Sequence, residues 1–204
     1  MTLSEFDNEI RKDHNVVCGC DEAGRGPLAG DVFAAAVIFD KDTVIEGIND
    51  SKKLTAKKRE ELFDEIMEKA VDFSIQTATV EEIEDINILN AAMLAMKRAV
   101  EDMDTKPDIC LIDGNKTPEG LECPAIAVVK GDAKSQAVAA ASILAKVARD
   151  RYMEQMAEQY PEYRFEKHKG YGTKLHYQMI DQYGPCGIHR MSFLKKYYEK
   201  KNGH

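Results

Sequence analysis

The chain has 204 residues, of which 44% are apolar, and its formal net charge is −8 at pH 7. That length predicts a single domain over residues 1–204 with an ordinary core. No apolar run approaches the roughly 18 residues that a membrane helix needs, and the charged N-terminus lacks an apolar signal core, so we expect no membrane association. Five scattered cysteines are typical of reduced thiols in the cytoplasm.

The charge is unevenly distributed along the chain. From Arg164 onward there are nine Lys and Arg residues and three acids, so this segment carries +6 and residues 1–163 carry −14. We therefore expect residues 160–204 to form a basic helical segment, packed on the domain, that contacts a phosphate backbone. The alternative is a solvated lysine face without a partner.

The first half of the chain alternates between strand and helix patterns. A short charged helix or lead-in precedes two strands at 16–20 and 32–39, which the glycine-rich link between them predicts to be antiparallel. Thr55 is predicted to cap a helix that ends near Lys69, and a strand follows at 71–79. Cys18 and Cys20 lie two apart in the first strand, which indicates core packing on one face more than metal binding.

The second half continues this alternation. Thr79 and Glu82 form a capping-box pattern, and Asn87 is predicted to cap a longer helix. Strands are predicted at Ile109–Asp113 and Ala125–Val129, before an Ala-rich helix over 133–159 whose small residues allow close packing on the sheet. Thr173 is predicted to cap a helix that ends near Tyr183, and Ser192 to cap a last helix over 193–201.

Carboxylates recur where these strands end. Asp21 and Glu22 follow the first strand, Asp113 closes the strand at 109–113, and Asp132 follows the strand at 125–129. Each has a simpler explanation, a polar turn or a helix N-cap, but the repetition favours one site at the strand ends. Successive strand residues point to opposite faces, so Glu22 joins Asp21 only if the strand has already bent, for which Gly24 offers a place. Asp150 is excluded because about 27 Å of helix separates it from Asp132.

Several strings carry a resemblance to a known family. DEAGRG-P-L-A-G at residues 21–30, DSKKL at 50–54, HKGYGT at 168–173 and HRMSF at 189–193 are similar to motifs of the ribonuclease HII family, the type 2 ribonucleases H, with further matches at Asp113 and Asp132. The resemblance covers nearly the whole chain. It implies an α/β ribonuclease H-like fold with a central mixed sheet flanked by helices and a C-terminal helical extension.

The resemblance also implies a metal site. Asp21, Glu22, Asp113 and Asp132 match the four acids of the family, and they imply two divalent cations, Mg²⁺ or Mn²⁺, when substrate is bound. By the same resemblance, Asp21 bridges both ions, Asp113 and Asp132 each serve one, and Glu22 is more peripheral.

Substrate selection is implied by three further strings. Gly24, Arg25 and Gly26 resemble a turn that senses the ribose 2′-hydroxyl, Lys52 a phosphate contact, and Tyr171 a ring that stacks on the neighbouring deoxyribose. For Lys52, a solvated helix lead-in is the alternative; for Tyr171, it is a loop residue packed on the domain edge.

The implied activity is that of an endonuclease. It hydrolyses the RNA strand of RNA–DNA hybrids and cuts 5′ of single ribonucleotides in duplex DNA, leaving 3′-hydroxyl and 5′-phosphate ends. The expected partners are those nucleic acids, with the protein a monomer and no clamp-binding pattern evident. One alternative is ribonuclease HIII, which would need an extra N-terminal domain where only about 20 residues precede Asp21. The other is a non-catalytic module that binds nucleic acid or Mg²⁺.

Overall fold

The computed structural model describes residues 1–49 and 51–202, without the side chains of Lys52 and Asn202. It contains one five-stranded sheet. The strands are β1 Val17–Ala23, β2 Val32–Ile38, β3 Asp72–Ala78, β4 Ile109–Asp113 and β5 Ala125–Val128. The helices are α1 Leu3–Ile10, α2 Ala56–Lys69, α3 Val80–Glu101, α4 Gln136–Gln159, α5 Phe165–His168, α6 Lys174–Tyr183 and α7 Met191–Asn202. No helix among the described residues is both long enough and apolar enough to cross a bilayer.

The sheet is mixed, with the order β3-β2-β1-β4-β5. β1 is antiparallel to β2 and parallel to β4, while β3 is antiparallel to β2 and β5 is parallel to β4. The predicted fold class is confirmed: a central mixed sheet with helices on both faces. Because β1, β4 and β5 run in the same direction, their carboxyl ends meet at one edge of the sheet.

Two long helices cover the two faces of the sheet. On one face, the alanines of α4 at positions 137, 140 and 141 are fully buried. A Cβ at Gly19 of β1 would lie 2.2 Å from the carbonyl carbon of Ala137, so only glycine allows this approach. On the other face, Cys18, Cys20 and the alanines of α3 share a core cluster, so the two thiols lie on one side of the strand as predicted.

Most predicted helix caps are confirmed. Thr55, Thr79 and Thr173 each accept a hydrogen bond from the backbone N–H three residues later. Asn87 has a φ of 67° and interrupts α3, and its side chain accepts from the N–H groups of Leu89 and Asn90. It therefore caps the second part of that helix, as expected.

Two helix starts were predicted wrongly. The Ala-rich helix begins at Gln136 under a Ser135 cap, and a separate 3₁₀ turn, Gly131–Ala133, precedes it. Ser192 is not the cap of the last helix, because α7 already begins at Met191. The Ser192 N–H and hydroxyl instead donate to the carboxylate of Glu84 on α3. The Ser192 hydroxyl therefore bonds to a distant helix instead of capping its own helix.

The C-terminal residues are joined to the loop between β1 and β2. Leu28 donates to the carbonyl of Gly170, Gly30 donates to Ile188, and Arg190 N–H donates to Leu28. These bonds hold the loop that follows β1 against the segment that carries Tyr171.

Candidate active site

Asp21 and Asp113 occupy neighbouring positions at the carboxyl ends of parallel strands. The register pairs Cys20 with Ile112, and each strand then continues by one residue to its acid. Side chains at matched positions of parallel strands share a face, so both carboxylates lie on the α4 side. The predicted convergence of Asp21 and Asp113 at the strand ends is therefore present.

Asp21 is a crowded, buried carboxyl group with 5% of its surface exposed. Burial raises its pKa well above the usual range, and the carboxylates of Glu22 and Asp113 raise it further. Hydrogen bonds from Ser142 of α4 and from the N–H of Glu22 act in the opposite direction. A buried carboxyl beside two others is costly to ionise unless a cation joins the group.

Asp132 lies in the turn that follows β5 and is buried, with 8% of its surface exposed. The N–H of Gly131, immediately before it, donates to Oδ1 of Asp113 at 2.6 Å. That bond holds the turn carrying Asp132 against the end of β4. The turn depends on Lys130, which has a left-handed φ of 57°.

Glu22 differs from the other acids in its direction. The bend that would bring Glu22 to the side of Asp21 is absent, because β1 continues to Ala23 and Glu22 pairs regularly with Ala34 of β2. The Glu22 side chain therefore leaves the strand on the opposite side from Asp21 and accepts a hydrogen bond from Arg25 at 3.1 Å. Within the described part of the chain, no three His, Cys, Asp or Glu side chains already form a metal-ligand set.

A cleft of about 530 Å³ opens beside these strand ends. It brings together the Gly24–Gly26 turn, Tyr171 and residues from four helical segments. The lining residues are Glu22, Ala23, Gly24, Arg25, Gly26, Ser51, Ile88, Ser142, Lys146, Tyr171 and Phe193. Two of the predicted substrate-binding elements, far apart in sequence, thus share one cleft with the acid Glu22.

Tyr171 is 42% exposed, as its position in a glycine-flanked loop predicted. A Cβ added at Gly26 would lie 3.8 Å from Cε1 of the Tyr171 ring. The ring centroid is 6.0 Å from Nζ of Lys146 and 5.9 Å from Cζ of Arg149. One face of the cleft is therefore an aromatic ring bordered by two cations.

Two buried arginines hold this cleft together, and neither was predicted to do so from the sequence. Arg190 is fully buried and donates to the carbonyl oxygens of Gly24, Arg25, Pro27 and Gly30. Arg149 is 1% exposed and donates to the carbonyls of Ala29, Asp31 and Lys169. Burial lowers the pKa of Arg190 to about 9, which leaves it charged at neutral pH. The only sequence signal was the position of Arg190 within HRMSF.

The burial of Arg190 also reduces the cationic surface expected for the C-terminal segment. Arg190 was counted with the basic C-terminal surface, but its charge faces backbone carbonyls inside the protein. Lys169 is paired with Glu154, an acid that lies outside this segment. The cationic surface of this segment is therefore smaller than the sequence total indicates.

The DSKKL segment reaches the cleft through Ser51. Its hydroxyl lies 2.9 Å from that of Ser142, the residue that also hydrogen-bonds to Asp21. Arg59 of α2 donates to the carbonyls of Ser51 and Leu54 and so fixes the turn. Asp50 and the side chain of Lys52, the predicted phosphate contact, lie outside the described residues.

The sheet order and the helices on both faces define a ribonuclease H-like α/β fold. A family model described as Ribonuclease HII matches residues 18–196. The chain belongs to the ribonuclease HII family, as its motifs predicted. It is therefore a hydrolase of the ribonuclease H type, an endonuclease that acts on RNA paired with DNA.

Individual relatives agree with this assignment. A ribonuclease HII from Caldicellulosiruptor saccharolyticus is 55% identical over 189 residues, which are 93% of this chain and 92% of that protein. The ribonuclease H2 of Pyrococcus horikoshii OT3 aligns with a TM-score of 0.72 and 30% identity, covering 87% of this chain and 93% of the other. Bst-RNase HIII in complex with Mn²⁺ aligns with a TM-score of 0.66 and 18% identity, covering 83% and 63%, a likeness of fold alone.

Proposed function

We propose that this protein cuts duplex DNA on the 5′ side of a single embedded ribonucleotide, in addition to hydrolysing the RNA strand of hybrids. The products carry a 3′-hydroxyl and a 5′-phosphate. The observation that carries the proposal is the shared cleft of the Gly24–Gly26 turn and Tyr171, next to the strand-end acids. A site that recognises one ribonucleotide needs the groups that contact its 2′-hydroxyl to lie next to the groups that hydrolyse the phosphodiester.

The acid group fits divalent cations. Oxygen ligands are what Mg²⁺ and Mn²⁺ prefer, and the raised pKa of Asp21 reflects burial beside two further carboxylates. We assign Asp21, Asp113 and Asp132 as the residues that would hold two such ions, with Glu22 more peripheral because its side chain leaves β1 on the other side. When bound, the ions supply activation of a water molecule and charge stabilisation of the leaving 3′ oxygen.

The Gly24–Gly26 turn is suited to recognising a 2′-hydroxyl through its backbone. Arg190 binds the carbonyls of Gly24 and Arg25. Because the C=O and N–H of a trans peptide point in opposite directions, the N–H groups of Arg25 and Gly26 are turned away from Arg190. A Cβ at Gly24, where φ is 103°, would lie 2.2 Å from Nε of Arg149. The turn is thus held by Arg190, and glycine at position 24 leaves room for the Arg149 side chain.

Tyr171 supplies a flat surface beside this turn. Its ring is exposed enough to meet a sugar, and Lys146, which is paired with Asp150, lines the same cleft. We propose that the ring stacks on the deoxyribose next to the ribonucleotide. All five cysteines are free thiols, consistent with action in a reducing cytoplasm, and we expect the protein to act there as a monomer.

The decisive experiment is a nicking assay on a DNA duplex that contains one ribonucleotide. We expect cleavage with Mg²⁺ or Mn²⁺, none with a chelator, and none on an all-DNA duplex of the same sequence. Asp113→Asn serves as the matched inactive control. A protein that binds the duplex without cutting it, while a long RNA–DNA hybrid is also left intact, would support the non-catalytic alternative instead.

A further inference from the structure

Three histidines form a buried cluster behind the loop that carries Tyr171. His168, His176 and His189 are 7%, 0% and 2% exposed. The rings of His168 and His176 stack with centroids 4.3 Å apart, and Nε2 of His176 lies 3.0 Å from Nε2 of His189. The proposed chemistry does not use these groups.

The partners of the cluster determine which nitrogen carries each proton. The carbonyl of Tyr171 accepts only from an N–H, so Nδ1 of His176, 2.9 Å away, is protonated. The N–H of Cys186 donates to Nδ1 of His189, so the proton of His189 is on Nε2 and is donated to Nε2 of His176. The result is a one-way chain of hydrogen bonds that ends on the Tyr171 carbonyl.

His168 supports the other side of the same loop. Its Nδ1 accepts from the N–H of Gly170, and its Nε2 donates to the carbonyl of Tyr163. The N–H of Tyr171 in turn donates to the carbonyl of His168. Burial lowers the pKa of His176 and His189 to about 4 and also lowers that of His168, so the cluster is neutral at pH 7.

The backbone of Tyr171 is thus held by hydrogen bonds on both sides, while its ring is partly exposed in the cleft. The charged groups of Lys146 and Arg149 lie about 6 Å from the centroid of the ring. The direction of the ring in the cleft therefore depends on how the peptide is held. The Tyr171 carbonyl in that peptide is the last acceptor in the series of hydrogen bonds that runs from His189 through His176.

We propose that His176 is a positioning residue for substrate selection, which acts through the Tyr171 carbonyl to orient the ring against the sugar beside a ribonucleotide. This inference rests on the proposed function of Tyr171. It assigns no chemistry to His176 itself.

Two amide substitutions distinguish the hydrogen bond made by Nδ1 of His176 from the one made by Nε2. In His176→Asn, the side-chain amide occupies the place of Nδ1 and retains the donor to Tyr171. In His176→Gln, the amide reaches the place of Nε2 and retains only the partner of His189. The measured quantity is the ratio of kcat/KM on a single embedded ribonucleotide to that on a long RNA–DNA hybrid.

We expect the ratio to fall about fivefold in His176→Gln, which corresponds to one lost hydrogen bond, and to stay near wild type in His176→Asn. In a Tyr171→Ala background, His176→Gln should change the ratio no further, since the ring it positions is gone. Equal ratios for wild type and His176→Gln, or a further fall in the Tyr171→Ala background, would overturn the inference. So would an unchanged ratio in Tyr171→Ala.

A spectroscopic test does not depend on the variants folding. Long-range ¹H–¹⁵N spectra of the wild-type imidazoles should show His176 protonated on Nδ1 and His189 on Nε2. The opposite tautomer of His176 would remove its donor to Tyr171 and refute the inference. Failure of the proposed function has a different signature: the wild type would show these tautomers and still not cut at a single ribonucleotide.

Discussion

Gly24 and Arg190 are joined across 166 residues of sequence by a hydrogen bond of 2.7 Å from Nη2 to the Gly24 carbonyl. The same guanidinium also binds the carbonyls of Pro27 and Gly30, which close the loop after β1. One buried cation near the C-terminus therefore shapes the turn next to the strand-end acids near the N-terminus. The planar fork of arginine suits this arrangement because its donors point in several fixed directions.

Arg190→Lys should weaken the turn without removing the charge. A single ammonium cannot serve these carbonyls together, so we expect the free energy of unfolding to fall by at least about 2 kcal/mol. The KM for an embedded ribonucleotide should rise more than that for a long hybrid. Urea unfolding and steady-state kinetics measure both effects. Arg164→Lys, at an exposed residue that pairs with Glu166, is the control and should change stability by about 0.5 kcal/mol or less. Equal stability of both variants would contradict this role for Arg190.

Asp113→Asn should abolish nicking while leaving the protein folded. The amide retains an oxygen that can accept from the Gly131 N–H, so the turn carrying Asp132 keeps its support. Loss of one charge from the acid group relieves repulsion, and the metal-free variant should be no less stable than wild type. Nicking rates with Mg²⁺ and thermal unfolding with a chelator check the two parts. Near-normal turnover would remove Asp113 from the proposed site.

Asp21→Asn should raise the stability of the metal-free protein at neutral pH. The pKa of Asp21 is raised in the folded state, so its contribution to stability is present below the unfolded value of 3.8 and is lost as pH rises through the folded value. The variant has no carboxyl group to ionise at this position, so its stability does not fall in this way. The difference in the free energy of unfolding between variant and wild type should therefore grow as pH rises above about 4. Unfolding midpoints across this range measure the difference. Added Mg²⁺ should stabilise wild type more than the variant, and the opposite order would argue against a metal role for Asp21.

Binding to duplex should weaken steeply with salt despite the net charge of −8. Neutralising Lys167, Lys169 and Lys174 together should reduce the slope of log K against log salt by about 2, because Lys169 is partly offset by Glu154. The matched control neutralises three lysines toward the opposite end of the sheet, Lys12, Lys69 and Lys106. If both triple variants lower the slope equally, the effect is one of net charge and not of a contact.

Tyr171→Ala should lose selectivity for a single embedded ribonucleotide. The lost stacking, about 1–3 kcal/mol by analogy with base–aromatic contacts, should appear as slower nicking and not as weaker metal binding. Tyr171→Phe keeps the ring and should retain most activity. A long hybrid offers many registers, so the Ala variant should suffer less on it. The ratio of rates on the two substrates tests this, and an unchanged ratio would leave substrate reading to the Gly24–Gly26 turn alone.

Local sequence was sufficient for the strands, for most helix caps and for the family. An apolar run followed by an acid predicted the end of β4 at Asp113 correctly, but β1, expected over 16–20, continues through Asp21 and Glu22 to Ala23. Thr55, Thr79 and Thr173 cap their helices through backbone groups only three residues away. The order of the strands, by contrast, came from resemblance, because the sequence of one segment does not show with which distant segment it pairs.

Only the tertiary structure decided the features that depend on distant partners. Ser192 bonds to Glu84 of another helix, β1 continues through Glu22 because β2 pairs with it, and Arg190 lies inside the protein among carbonyls. Local propensity is weaker than these contacts, since a buried charge or polar group must find partners wherever the fold supplies them. The sequence alone therefore determined that the acids lie at or near the carboxyl ends of β1, β4 and β5, whereas long-range packing determined how the cleft beside them is held.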